Sequence, residues 1–208
     1  YDRDGKFKEG RTAVAWNIAK TGHKKLVRAF VKVNRTLPII VTWRAGEKLD
    51  WSHKDERGKI RLVNMNTHWS LSSILHGEQG ALALSASLCH ILRDPGAQEY
   101  AANQAREEAR HVAAFTKYVH ARWGTPLPVG PTLGNLLTEM VNAPEVYKKI
   151  VGMQMLVEGL AMGAFATMYT YGRDPLMVKL MQLVMTDEAF HHKFGKIWAD
   201  RTIPKLSE

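Results

Sequence analysis

Three things are scarce in this 208-residue chain. There is one cysteine, Cys89. That excludes an intrachain disulfide, a four-cysteine zinc or iron-sulfur site and a rubredoxin-type pair of CxxC motifs, and it points weakly to a reducing, cytoplasmic setting. No unbroken apolar run approaches the roughly 20 residues that span a bilayer, and "ALALSASLCHIL" is short and ends polar, so no membrane span is expected. Zinc-finger spacing, a single-strand stacking pattern and a reading helix are all missing, which argues against nucleic acid despite a net charge of +9. The chain starts at Tyr1 rather than Met, as expected of a trimmed piece of something longer, with which any targeting signal would be lost.

The positive charge is concentrated. Residues 1–70 hold 16 Lys and Arg against 7 Asp and Glu, whereas residues 71–208 hold 13 of each. Within that region "KTGHKKLVRAFVKVNR" reads as an amphipathic helix with Leu26, Val27, Phe30, Val31 and Val33 on its apolar side. It is either a solvated face or a docking surface for an acidic partner, such as a carrier protein or an electron donor.

From about residue 64 the chain reads as long helices, near 64–92, 96–122, 144–171 and 175–200. Asp94-Pro95 and Asp174-Pro175 are cap and first-turn signals, Pro144 marks a helix start, and "GTPLPVGP" at 124–131 is a linker. The tripeptide RDP occurs at Arg93–Pro95 and again at Arg173–Pro175, an offset of 80 residues. That offset carries Glu108 onto Glu188, His111 onto His191 ("EEARH" onto "DEAFH") and Glu78 onto Glu158. Two helical hairpins of one design are implied.

Geometry explains the correspondence. Glu78 lies 15 residues before Arg93 and Glu108 lies 13 after Pro95. At about 1.5 Å per residue both stand about 20 Å from the turn, at one level on antiparallel helices. Glu and His at i and i+3 share a helix face. Four Glu and two His would therefore converge inside apolar surroundings, where unpaired carboxylates are costly and a cation is needed. A single Glu-x-x-His is a weak signal. Two in register, each with a Glu at the matching level of the preceding helix, are strong, and the Glu4His2 set suits two divalent ions, with iron or manganese favoured over a structural zinc.

Over residues 64–200 these motifs resemble the ferritin-like di-iron carboxylate superfamily, and the two ExxH motifs look most like those of soluble acyl-carrier-protein desaturases and bacterial multicomponent monooxygenase hydroxylases. The resemblance implies an all-α, ferritin-like four-helix bundle (64–208) with a basic, helical N-terminal segment (1–63) packed on it. It implies an O2-activating di-iron oxidoreductase, of oxygenase, desaturase or N-oxygenase type, with Glu78, Glu108, His111, Glu158, Glu188 and His191 as metal-ligating and catalytic residues. Glu107 and Asp187 are implied as partners of the ligand histidines. An electron donor (ferredoxin or reductase), a small-molecule or acyl substrate and a homodimer are expected with it, and the basic N-terminal region would suit an acidic carrier protein. The alternative is a ferroxidase or a rubrerythrin-like peroxidase.

The sequence also departs from that pattern. Phe190 stands where those relatives often carry Arg, so one arm of the outer network is expected to be missing. Phe115 replaces the tyrosine of radical-generating ribonucleotide reductase subunits, which disfavours a stable tyrosyl radical. Ala161 and Met162 occupy the region where a proton-delivering Thr is common, and Thr167 lies too far along. Gly77, Gly80, Gly159 and Gly163 are read as close-packing positions. Met153, Met155, Met162, Phe165, Leu82 and Phe115 are read as core, with one or two at the substrate. His192 points about 100° away from His191 around the helix, outside the ligand set. His76 and His90 are read as core or surface, and Cys89 as a buried small residue.

Overall fold

The computed structural model describes residues 56–205, and all regular structure among them is helical. The basic amphipathic stretch within residues 20–35 and most of the 1–63 segment lie outside the described residues. The chain divides into two units between Arg61 and Leu62, and the candidate site lies wholly in the second.

Helix α1 runs Glu56–Ile91, α2 Pro95–Trp123, α3 Pro131–Asn142, α4 Val146–Lys149, α5 Glu158–Tyr171 and α6 Pro175–Thr202. Between α4 and α5 lies a π-helical segment, Ile150–Val157, and Ile203–Lys205 adds a final 3₁₀ turn.

Both RDP turns work as their residues dictate. The Asp94 carboxylate accepts from Ala97 N at 2.8 Å, and Asp174 accepts from Leu176 N at 2.9 Å, so each proline sits at a position that needs no N–H donor. Asp174 also receives the Tyr118 hydroxyl at 2.7 Å and pairs with Arg122 at 2.8 Å, tying the second turn to the end of α2. Gly124 closes α2 with φ +81°, a left-handed conformation that suits glycine.

Three expectations need correction. Helix α1 begins at Glu56, well before 64, and runs through Asn64 and Asn66 without a break. The linker is followed by α3, an amphipathic helix where the sequence predicts none; Leu137 and Met140 are its buried residues. Pro144 precedes α4 rather than opening it, with Glu145 at the cap position. The carbonyls of Met140 and Val141 at the end of α3 accept from the buried Lys149 Nζ, a lysine whose pKa burial pushes down.

The stretch Val146–Tyr171 is long and apolar enough to cross a membrane by length and composition alone, correcting the expectation that no segment would be. Lys148, Lys149 and Glu158 interrupt it, so it contains no unbroken apolar run of that length. About 33% of its most apolar window is buried among the other helices, and Glu158 faces their carboxylates.

Two apolar cores hold the helices. One gathers Leu84, Leu88, Ala101, Leu137, Ile150, Met153 and Phe194; the other gathers Leu71, Leu75, Phe115, Val119, Phe165, Met181 and Val184. In the second, the fully buried rings of Phe115 and Phe165 stack with centroids 6.1 Å apart. Burial of such a ring contributes about 1.5–3 kcal/mol.

Candidate metal centre

Helix α1 delivers Glu78, α2 Glu108 and His111, α5 Glu158 at its first residue, and α6 Glu188 and His191. All six are between 0% and 5% exposed. Ligand atoms of Glu78, Glu108, His111 and Glu188 lie within 4.8 Å of one another, as do those of Glu108, Glu158, Glu188 and His191. Glu108 and Glu188 belong to both groups, so this buried Glu/His cluster could hold a metal ion.

The histidines are oriented from behind, and across the pseudo-repeat. His111 donates from Nε2 to Asp187 at 3.1 Å, and His191 donates from Nε2 to Glu107 at 2.9 Å. Each acid therefore fixes the tautomer of the other motif's imidazole and leaves Nδ1 facing inward. Arg110 lies 3.4 Å from Asp187 and 3.9 Å from Glu107, joining the two acids at the surface. Phe190, at the place equivalent to Arg110, is 59% exposed, so that arm of the network is absent.

His111 Nδ1 lies 3.2 Å from Glu78 and from Glu188 and 3.4 Å from Glu108; His191 Nδ1 lies 3.0 Å from Glu108 and 3.2 Å from Glu188. Burial alone would lower both imidazole pKa values. The carboxylates outweigh it, holding His111 far above its usual range and His191 at about 10. Burial opposes ionisation of Glu108 and Glu188 as well, yet the imidazoles overcome it for Glu108, and Glu158 and the imidazoles for Glu188, so both stay low. Glu78 and Glu158 go the other way: burial holds both well above the carboxylate range, reinforced by neighbouring carboxylates. Protons thus occupy the inward nitrogens and two of the acids, the atoms a metal ion would contest.

A cation fits these atoms. Glu108 Oε2 and Glu188 Oε1, one oxygen from each shared carboxylate, are buried without a hydrogen bond. A buried acceptor without a hydrogen bond costs about 1–3 kcal/mol, a cost that His111 Nδ1, 3.4 Å from Glu108 Oε2 and 3.2 Å from Glu188 Oε1, reduces here.

Sequence reasoning missed the π segment and a buried amide pair beside the ligands. Gln104 Nε2 donates to Glu108 at 3.1 Å, to Gln154 at 3.2 Å and to Glu158 at 3.4 Å, while Gln154 Nε2 returns a bond to Gln104 at 2.9 Å. The available signal was spacing: each glutamine stands four residues before a ligand glutamate. Gly195 lets α6 approach the π segment, since a Cβ there would lie 2.4 Å from Gln154 Cβ and 3.1 Å from its backbone carbon.

The secondary candidates sort out plainly. His192 is half-buried and donates from Nδ1 to the Gln154 carbonyl at 3.2 Å, outside the ligand set. His76 Nε2 bonds the Leu127 carbonyl and His90 is exposed. Thr167 bonds the Gly163 carbonyl of its own helix. Cys89 is a half-buried free thiol rather than a fully buried one. Gly80 packs against Leu137, whereas Gly77 has open space where a Cβ would stand. Met153, Phe115 and Phe165 are fully buried core; Leu82, Met155 and Met162 are half-buried. A groove of about 340 Å³ lies on the opposite side of α1, between His76, Gln79 and Gly80 and residues Leu137, Thr138 and Val141 of α3. No protein-family model, curated protein or solved structure matches the chain.

Proposed function

We propose that the chain is a ferritin-like four-helix bundle carrying two iron ions, and that it is an O2-activating oxidoreductase acting on a small or acyl organic substrate. The observation that carries this reading is the pair of four-ligand groups sharing Glu108 and Glu188. Glu78 and His111 would complete one ion's set, and Glu158 and His191 the other's. Manganese or a mixed Mn/Fe pair would suit the same donors. Two iron ions held by these residues would supply redox capacity toward O2.

The protein's own residues do the rest. Asp187 and Glu107 keep the imidazoles in the tautomer that presents Nδ1. Phe115 and Phe165 exclude water from one side, which strengthens every charge interaction inside. Glu78 and Glu158, whose pKa values burial raises, would give up their protons as they take up the ions, so loading the centre releases protons. Electrons would come from a ferredoxin or reductase, with an acidic donor or carrier protein drawn to the basic N-terminal region.

Iron or peroxide handling is the competing reading. It is favoured by the packing of Phe115, Phe165 and Met153, which leaves these three as core rather than as lining for an organic substrate. Anaerobic titration with ferrous iron, followed by oxygen, separates the two. The proposal expects two irons bound per chain and oxidation that stops there; continued turnover of added iron would establish ferroxidase activity instead, and no binding would remove the metal premise.

A further inference from the structure

The 80-residue correspondence relates the ligands of the two halves but fails for the residues behind them. Gln104 maps onto Val184, and Gln154 maps onto Ile74. Gln104 and Gln154 are 1% and 0% exposed and clasp Glu108 and Glu158. At the equivalent place beside Glu188 and Glu78, Val184 and Ile74 belong to the second apolar core. A centre that is nearly two-fold in its ligands is therefore one-sided in its support.

The two glutamines bond each other reciprocally, so Gln104 has one hydrogen aimed at Gln154 and the other left for the two carboxylates. Reversing the amide would set its oxygen against carboxylate oxygens. The pair consequently has one favoured sense, and in it Oε1 of both Glu108 and Glu158 is held. Among the described residues Glu78 has no such donor: the hydrogen bond it makes to a side chain is with His111, itself a ligand. His192 and Gly195 add to the difference, one bonding the Gln154 carbonyl and the other admitting α6 against the Gln154 backbone.

We infer that Gln104 and Gln154 are positioning residues that make the Glu158/His191 ion position the tighter and first-filled of the two, an inference that rests on the dinuclear reading above. Glu158 meets the ion already oriented, whereas Glu78 must be ordered by the ion itself. Pre-ordering of this kind removes an entropic cost from binding.

The test is titration of chelator-treated full-length protein with Co2+, followed by the Co2+ d–d absorption and by calorimetry. Wild type is expected to bind in two unequal steps, and Glu78→Ala to lose the weaker step alone. The double change Gln104→Val with Gln154→Ile copies the apolar pair of the other half. Because both partners of the hydrogen bond go together, no buried amide is stranded. It is expected to weaken the tight step by roughly 10–100-fold, typical for loss of a group behind a ligand, and to bring the two steps together. Should that variant not fold, Gln104→Met with Gln154→Met keeps the side-chain lengths, strands no amide and makes the same comparison. Unchanged steps in the variant, equal weakening of both, or loss of the tight step in Glu78→Ala would each overturn the inference. Failure of wild type to bind Co2+ would instead overturn the metal reading itself.

Discussion

Removing Glu108 tests the centre most sharply, because this carboxylate is common to both ligand groups. In chelator-treated protein it is one of the two acids held ionised beside the imidazoles. Glu108→Ala leaves Glu188 to balance both rings and leaves the Gln104 amide with Gln154 and the longer contact to Glu158. Breaking a buried, hydrogen-bonded charge pair costs about 3–5 kcal/mol. Since a buried imidazole can shed its proton, the lower end of that range is expected. Metal widens the gap. An ion at 100 times its Kd stabilises the folded state by about 2.7 kcal/mol, so two independent ions give about 5 kcal/mol. For a domain of this size each kcal/mol moves Tm by roughly 2–4 °C, which predicts a metal-dependent rise on the order of 10–20 °C for wild type. Glu108→Ala should show little of it. The assay is thermal unfolding by circular dichroism at 222 nm, with chelator and with anaerobic ferrous or manganous ion. An equal metal-dependent rise in both proteins would refute the shared role of Glu108.

Further expectations follow from other residues. The pKa of His191 is raised from an ordinary 6.5 to about 10, so in chelated protein its stabilising pairs are complete below 6.5 and are lost as pH climbs through about 10; urea melts across that window should show falling stability. Bound metal replaces that proton, and the same melts on loaded protein should lose most of this slope. Glu107→Gln removes the charged acceptor behind His191, and a metal titration should find affinity at that ion position roughly 10–100-fold weaker; an unchanged isotherm would mean the contact orients nothing. Gly195→Ala drives a methyl into the side chain and backbone of Gln154, and chemical denaturation should show a loss of about 1–3 kcal/mol.

Much of this centre is written into the chain in one dimension. The repeated RDP turns, the count from each turn to its glutamates, and the i, i+3 spacing of Glu and His are local facts. Helical rise and pitch are constant enough to carry them into space. Thus the level of Glu78 beside Glu108, and the shared face of Glu188 and His191, are legible in the order of residues alone. Helix α3 is harder to read, because its glycine-containing start follows a proline-rich stretch that looks like a linker. The π segment carries no composition signal. It lies where α6, at Gly195, packs closely against Gln154, a contact between residues 41 apart in the chain.

What tertiary structure alone decided is which partners meet across helices. Sequence nominated Glu107 and Asp187 as acids behind the histidines, but not that each would serve the other motif's ring. Nor could it show that Gln104 and Gln154 face one another 50 residues apart. Spacing along one helix sets the face and level of a side chain; the rotation of one helix against the next, set by core packing around Phe115, Met153 and Phe165, chooses what it touches.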